Sequence, residues 1–118
     1  MIIRKDQIDE LRAAQEPEFA HELVRHLRTF HAPAVAERSD TTLYRLVRVK
    51  IREAHEYDLE RSEDVAAFVA LCFQISLNFH RQPAINAILL DPATPPERKI
   101  DRLNTEIIDS EWDEAQSL

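Results

Sequence analysis

The chain reads as an all-α protein: a single compact bundle of five or six helices around a central apolar helix at about residues 62–79. Three observations predict this. There is no glycine in 118 residues, where average usage is about 7%. Tight β-hairpin turns depend on glycine, as do phosphate-cradling loops, dinucleotide fingerprints and strained nucleophile turns. Apolar residues recur at helical spacing through most of the chain. Proline, Ser, Thr and Asp supply the punctuation between those segments.

The first helix is expected from about Arg4 to Gln15, with Ile8 and Leu11 as its apolar positions. Pro17 interrupts it. Proline suits a first helical turn and not an interior, so either a new helix starts there, which is the preferred reading, or one long helix kinks. Phe19, Leu23, Val24, Leu27 and Phe30 then form an amphipathic stripe. Pro33 ends that segment at about His31. The next helix starts at Ser39 or Asp40, both good caps, and runs to about Tyr57. Leu43, Leu46, Val47, Lys50, Ile51 and Ala54 define its apolar face.

Ser62 is expected to cap the fourth helix, with Glu63 and Asp64 in the first turn, where negative charge suits the helix dipole. From Val65 to Phe79 apolar residues run nearly all the way round, leaving a narrow strip at Gln74 and Asn78. A helix of that kind is surrounded by its neighbours. Pro83 opens a short helix to Leu90. Asp91-Pro92-Ala93 reads as a turn, and Thr94-Pro95-Pro96-Glu97 as a threonine N-cap with early prolines and a capping-box glutamate. The last helix carries Ile100, Leu103, Ile107 and Ile108, and frays around Trp112. The expected organisation is a helical domain over 1–110 and an acidic C-terminal tail over 111–118.

The net charge is −7, which argues against general nucleic-acid binding, where a basic footprint is expected. The acids concentrate late: from Glu106 onward there are five acidic residues and no basic one. Cys72 is the lone cysteine, so no internal disulfide forms, which fits a reducing compartment. The opening Met1-Ile2-Ile3-Arg4-Lys5-Asp6 turns polar at once and does not read as a secretory signal. Val65 to Phe79 is too short to span a bilayer, which needs about 20 residues. A soluble cytoplasmic protein with no membrane partner is expected.

Little in the chain points to catalysis. His21-Glu22-Leu23-Val24-Arg25-His26 resembles a zinc-protease motif, but its histidines are five apart and not four. His31 repeats that spacing. No metal and no cofactor is expected. Cys72 sits on the most apolar helix, where a small packing residue is the simplest reading. Asp64, Asp91, Glu97 and Asp101 show no spacing that pairs them as acid and base. Two features fit a protein partner. Arg45, Arg48 and Arg52 lie within an arc of about 60° on one helix, with Val49 beside them as an apolar contact point. Trp112 is the one tryptophan and lies among acids, and tryptophan is enriched as an interface anchor.

The order of features also carries a resemblance. It runs through Ile3-Arg4-Lys5-Asp6-Gln7, Leu11-Arg12, Phe19, Leu23 and His26-Leu27-Arg28. It continues through Leu46-Val47-Arg48, Ile51, Ala54, Tyr57, Glu63-Asp64-Val65-Ala66, Phe68 and Leu71. It ends with Ile88-Leu89, Asp91-Pro92, Pro95, Lys99 and Asp101-Arg102-Leu103. In these positions the chain resembles small helical proteins encoded in bacterial type VI secretion gene clusters, beside spike-tip proteins, effectors and their chaperones. The pattern covers most of residues 1–108 and consists largely of packing and capping positions. Ser76 to Pro83 lacks the glycine-proline-aspartate element and the tryptophan that the group often carries there. The resemblance implies a non-enzymatic adaptor or co-chaperone that holds an effector or its chaperone before loading. It transfers no catalytic residue. The alternative is an immunity protein that binds and neutralises a toxin, a role that acidic charge suits because complementary charge speeds capture of a basic target.

Overall fold

The computed structural model describes the backbone from Lys5 to Leu118 and the side chains from Glu16 onward. Residues 1–4 and the side chains of Ile8 and Leu11 lie outside the described residues. The protein is all-α. Among the described residues there are seven α-helices, one 3₁₀ turn and no strand. The helices are α1 (Lys5–Phe30), α2 (Ala32–Val35), α3 (Asp40–Glu56), α4 (Ser62–Gln74), α5 (Pro83–Leu89), α6 (Pro96–Glu106) and α7 (Asp109–Gln116). The 3₁₀ turn, Phe79–Arg81, precedes α5. Among the described residues no helix is long and apolar enough to cross a membrane. The chain divides within α3 into two compact units, residues 1–48 and 49–118.

In the first unit α1 and the start of α3 lie antiparallel, because their contacts run in opposite order. Glu16 meets Arg48, His21 stacks on Tyr44 and Arg28 meets Asp40. Ala20, Leu23, Val24 and Leu27 of α1 are buried, as are Val35, Leu43 and Val47. Arg28 fastens the connection. Its guanidinium donates to the carbonyls of Val35 (2.6 Å) and Arg38 (2.5 Å) and to Asp40 Oδ1 (2.9 Å). Ser39 caps α3 as the sequence predicts, its hydroxyl accepting from Thr42 N–H at 3.2 Å.

Two expectations fail in this unit. Pro17 does not start a new helix; it lies inside the continuous α1. The residue before it, Glu16, is buried and ion-paired to Arg48, so a tertiary contact holds the backbone helical where local preference would end it. Phe30 does not extend the apolar stripe either. It sits at the helix end and is 69% exposed.

In the second unit α4 is central and packs against α6 and the 3₁₀ turn. Val65, Phe68, Val69 and Cys72 are buried on it. They lie among buried residues from every other element: Ile51, Ala54, Leu59, Phe79, Ile85, Leu89, Leu103 and Ala115. The α4 helix is shorter than its apolar run, stopping at Gln74 where Ile75 caps it through a bond to the Leu71 carbonyl. Phe79 then buries its ring from the 3₁₀ turn. An apolar run fixes that residues are inside but not which helical geometry puts them there. Leu71, read as core, is only half-buried.

The turn after α3 shows how the chain manages without glycine. Leu59 N–H bonds the Ala54 carbonyl and Asp58 N–H bonds the His55 carbonyl, both near 3.0–3.1 Å. This is a Schellman close, whose αL position is usually glycine. Here Asp58 occupies it at φ 66°, the one positive φ among the described residues. Aspartate tolerates that region better than most side chains. Lys99 Nζ, buried on α6, donates to the Tyr57 carbonyl at 2.8 Å and closes the same helix end.

Three helix starts differ from expectation. Ser62 is the first helical residue of α4 and makes no cap bond. The N-cap is Arg61, whose guanidinium grips the buried Asp64 at 2.8 Å and the Glu97 carbonyl at 3.3 Å. Thr94 does not cap α6; Pro95 holds that position. The Thr94 hydroxyl instead joins Asp91 (2.8 Å), and Arg102 donates to both (2.8 and 2.6 Å), so a side-chain network claims it. The last helix does not fray. α6 stops at Glu106, the extended pair Ile107-Ile108 follows, and α7 restarts with Glu111 reaching back to Ile108 N–H at 3.0 Å.

Candidate functional site

The expected partner-binding residues fall in different settings. Arg45 and Arg48 belong to the first unit, and Val49, Arg52 and Trp112 to the second. Arg45, Val49 and Arg52 are exposed along α3. Arg48 is half-buried and already ion-paired. Its Nε meets Glu16 Oε1 at 3.2 Å and its guanidinium lies 5.8 Å from the centre of the Tyr44 ring. The Glu16 bond is the main reason the Arg48 guanidinium is held more firmly protonated than usual. The three-arginine strip is therefore broken in its middle by a structural ion pair.

Trp112 has a different context. It lies on α7, half-buried, with its N–H bonded to the Ile108 carbonyl at 3.1 Å. Ile108, four positions earlier, is the extended N-cap residue of α7. Ile108 is 61% exposed, while its neighbour Ile107 is 8% exposed. Asp109, Asp113 and Glu114 of the same helix are exposed. Asp109 and Glu111 also occupy the first turn of α7, where the helix dipole favours them. The helix thus carries an exposed Ile108 and a half-buried Trp112 in an acidic segment, with no base after Arg102. The helix is seated close to Trp112: Ala115, three positions on and on the same side, is fully buried and its carbonyl accepts from Ser76 Oγ at 2.7 Å. Trp112 is thus presented by a packed helix and not by a free tail.

A second cluster lies inside the same unit and was not singled out from the sequence. Lys50 is 5% exposed. Its Nζ donates to Glu53 Oε2 at 2.9 Å and to the Leu77 carbonyl at 2.7 Å. Glu53 Oε2 also faces His80 Nε2 at 3.5 Å. The His80 ring sits in an aromatic box of Tyr57, Phe68 and Phe79, with centroids 5.5–5.9 Å away. Burial lowers the His80 pKa from its ordinary value, with Glu53 opposing. The one signal in the sequence was a lysine on the apolar face of α3, which requires a buried partner.

The other chemical candidates resolve into structure. Burial pushes the Cys72 thiol up to about 12, with Lys50 opposing and Glu53 adding, so it stays protonated at neutral pH and packs. His21 stacks on Tyr44 at 4.3 Å, and His26 approaches His31 at 5.7 Å between centroids. Among the described residues no group of three or more His, Cys, Asp or Glu is arranged to hold a metal ion. Asp64 and Asp91 are held by Arg61 and Arg102 respectively. Comparison with family models, with curated proteins and with solved structures gave no match to this chain.

Proposed function

We propose that this protein is a non-enzymatic, protein-binding accessory factor that works in the cytoplasm as an adaptor or co-chaperone for a type VI secretion effector or its chaperone. The secretion context rests on the resemblance of residues 1–108. The binding role rests on one observation: a seated, acidic helix leaves Ile108 exposed at its N-cap and Trp112 only half-buried. Such a surface suits a partner with an apolar pocket bordered by Lys and Arg. Arg45, Val49 and Arg52 on α3 are a secondary candidate contact.

The acidic α7 helix equally favours an immunity protein that captures a basic toxin. Affinity purification from the native host separates the two. An adaptor retrieves an effector or chaperone, and its deletion blocks export. An immunity protein retrieves one toxin and protects cells from it. Retrieval that is unchanged by Ile108→Asp and Trp112→Ala would remove the α7 surface from either account.

A further inference from the structure

The segment from Ser76 to Gln82 is the hub of the second unit. Ser76 Oγ holds the Ala115 carbonyl of α7, and Lys50 Nζ holds the Leu77 carbonyl. Phe79 is fully buried, and Gln82 Oε1 caps α5 by accepting from Ile85 N–H at 2.9 Å. The 3₁₀ turn in its middle packs against α4, α5 and α7. His80 sits in that turn, 5% exposed. It is the one residue among those described with a buried side-chain polar atom, Nδ1, that finds no hydrogen-bond partner.

A neutral imidazole leaves at most one nitrogen wanting there. A protonated one carries a hydrogen on both. Nδ1–H would then be a charged donor, buried and unanswered, which proteins avoid. The surrounding charges do not rescue it. From α3 and the turn after it come Glu53, Glu56, Lys50 and Tyr57; Glu53, at 3.5 Å, is already engaged by Lys50 at 2.9 Å. Burial keeps the Tyr57 phenol neutral. The α4 helix brings the neutral Cys72, and α5 brings no titratable group. Arg81 beside it in the turn repels a second cation. The acids of α7, Asp109, Asp113 and Glu114, face water, and Glu111 is half-exposed and bonded to Ile108 N–H.

We propose that His80 is an acid-sensitive latch: protonating it loosens the Ser76–Gln82 hub and releases α7, the helix that presents Ile108 and Trp112. The biological consequence rests on the α7 reading above. The latch itself is tested without any partner, so either can fail alone.

The test is hydrogen exchange of the whole chain, read by mass spectrometry at pH 7.5 and pH 5.5 and corrected for intrinsic exchange. In the wild type, peptides covering 76–82 and 109–118 lose protection at the lower pH. A one-proton linkage allows up to about tenfold per pH unit. His80→Phe places a ring that cannot titrate in the same aromatic box, and should keep its pH 7.5 protection at both values. Equal loss in His80→Phe, or no loss in the wild type, overturns the latch. If His80→Phe does not fold, an NMR titration of the wild-type imidazole decides instead. The midpoint of α7 opening must coincide with that of His80 protonation, and separate midpoints overturn the proposal.

Discussion

Truncating Phe68 to alanine removes the ring at the centre of the second unit. Phe68 is fully buried on α4. Its centroid lies 5.3 Å from Phe79, 5.5 Å from His80 and 5.9 Å from Tyr57. Two separate segments, the 3₁₀ turn and the turn after α3, therefore lose contacts, and α4 cannot move toward both at once to fill the gap. Phe→Ala at such a site costs about 3–5 kcal/mol, the upper part when the cavity cannot collapse. A chain of this length has about 6–18 kcal/mol in total. The variant should fold, with a melting temperature lowered by roughly 15 °C or more, at 4–8 °C per kcal/mol for a unit of this size. Helical circular dichroism, followed through heat and urea, measures both. Leu71→Ala is the internal control. Leu71 is on the same helix and half-buried, so its loss should be about half as large or less. Equal effects at the two positions, or a shift of only a few degrees for Phe68→Ala, would refute the packing described for α4.

Further outcomes follow from the same structure. Pro17→Ala should stabilise the first unit by about 1–3 kcal/mol, because an interior proline costs a helix about that much. A neutral or negative result would restore a helix start at Pro17. Asp58→Gly should be tolerated or gain about 0.5 kcal/mol, whereas Asp58→Val should lose about 1 kcal/mol or more, since β-branched residues resist φ > 0; urea midpoints decide. Arg48→Glu sets a carboxylate against the buried Glu16, so it should lower the melting temperature of the first unit before it can report on partner binding. Stability should fall in two steps on acidification. His80, depressed by burial, contributes stability above its unfolded value of 6.5 that is lost as pH falls through its folded value. Asp91 is held low by the Ala93 N–H, Thr94 and Arg102, and Glu106 by Arg102. Their contribution is lost at lower pH still, and Arg102→Met should flatten that second step.

The helix content and most helix ends were legible because they are local. Proline, Ser and the 3.6-residue period placed α3 and α5 within a residue or two, and of the expected α3 face Leu43, Val47, Lys50, Ile51 and Ala54 are buried while Leu46 is half-buried. What escaped is set by residues distant in sequence. Pro17 is kept helical beside a carboxylate whose partner is 32 positions away. Thr94 has every local mark of an N-cap, yet Arg102 and Asp91 outbid the helix for its hydroxyl. The end of α4 at Gln74 falls within an apolar run that periodicity cannot divide. The seating of α7 hangs on Ser76, 39 positions from Ala115. At the candidate sites, spacing showed that Arg45, Arg48 and Arg52 share a side of α3, but not that Glu16 claims Arg48. Trp112 was legible as a lone tryptophan among acids, and the exposure of Ile108 became visible only once α6 stopped before it.

The central claim is that the acidic face of α7 is where a partner docks. Quantitative affinity purification from the native host tests it, comparing the wild type with Ile108→Asp and Trp112→Ala, both checked for wild-type helicity. The exposed Ile108 should change stability little and the half-buried Trp112 somewhat more, while loss of an aromatic anchor commonly costs about 2 kcal/mol or about thirtyfold in affinity. The account predicts one protein recovered in near-equal amount by the wild type, sensitive to salt, and lost from both variants. Recovery of the same protein by all three chains at equal yield would contradict it.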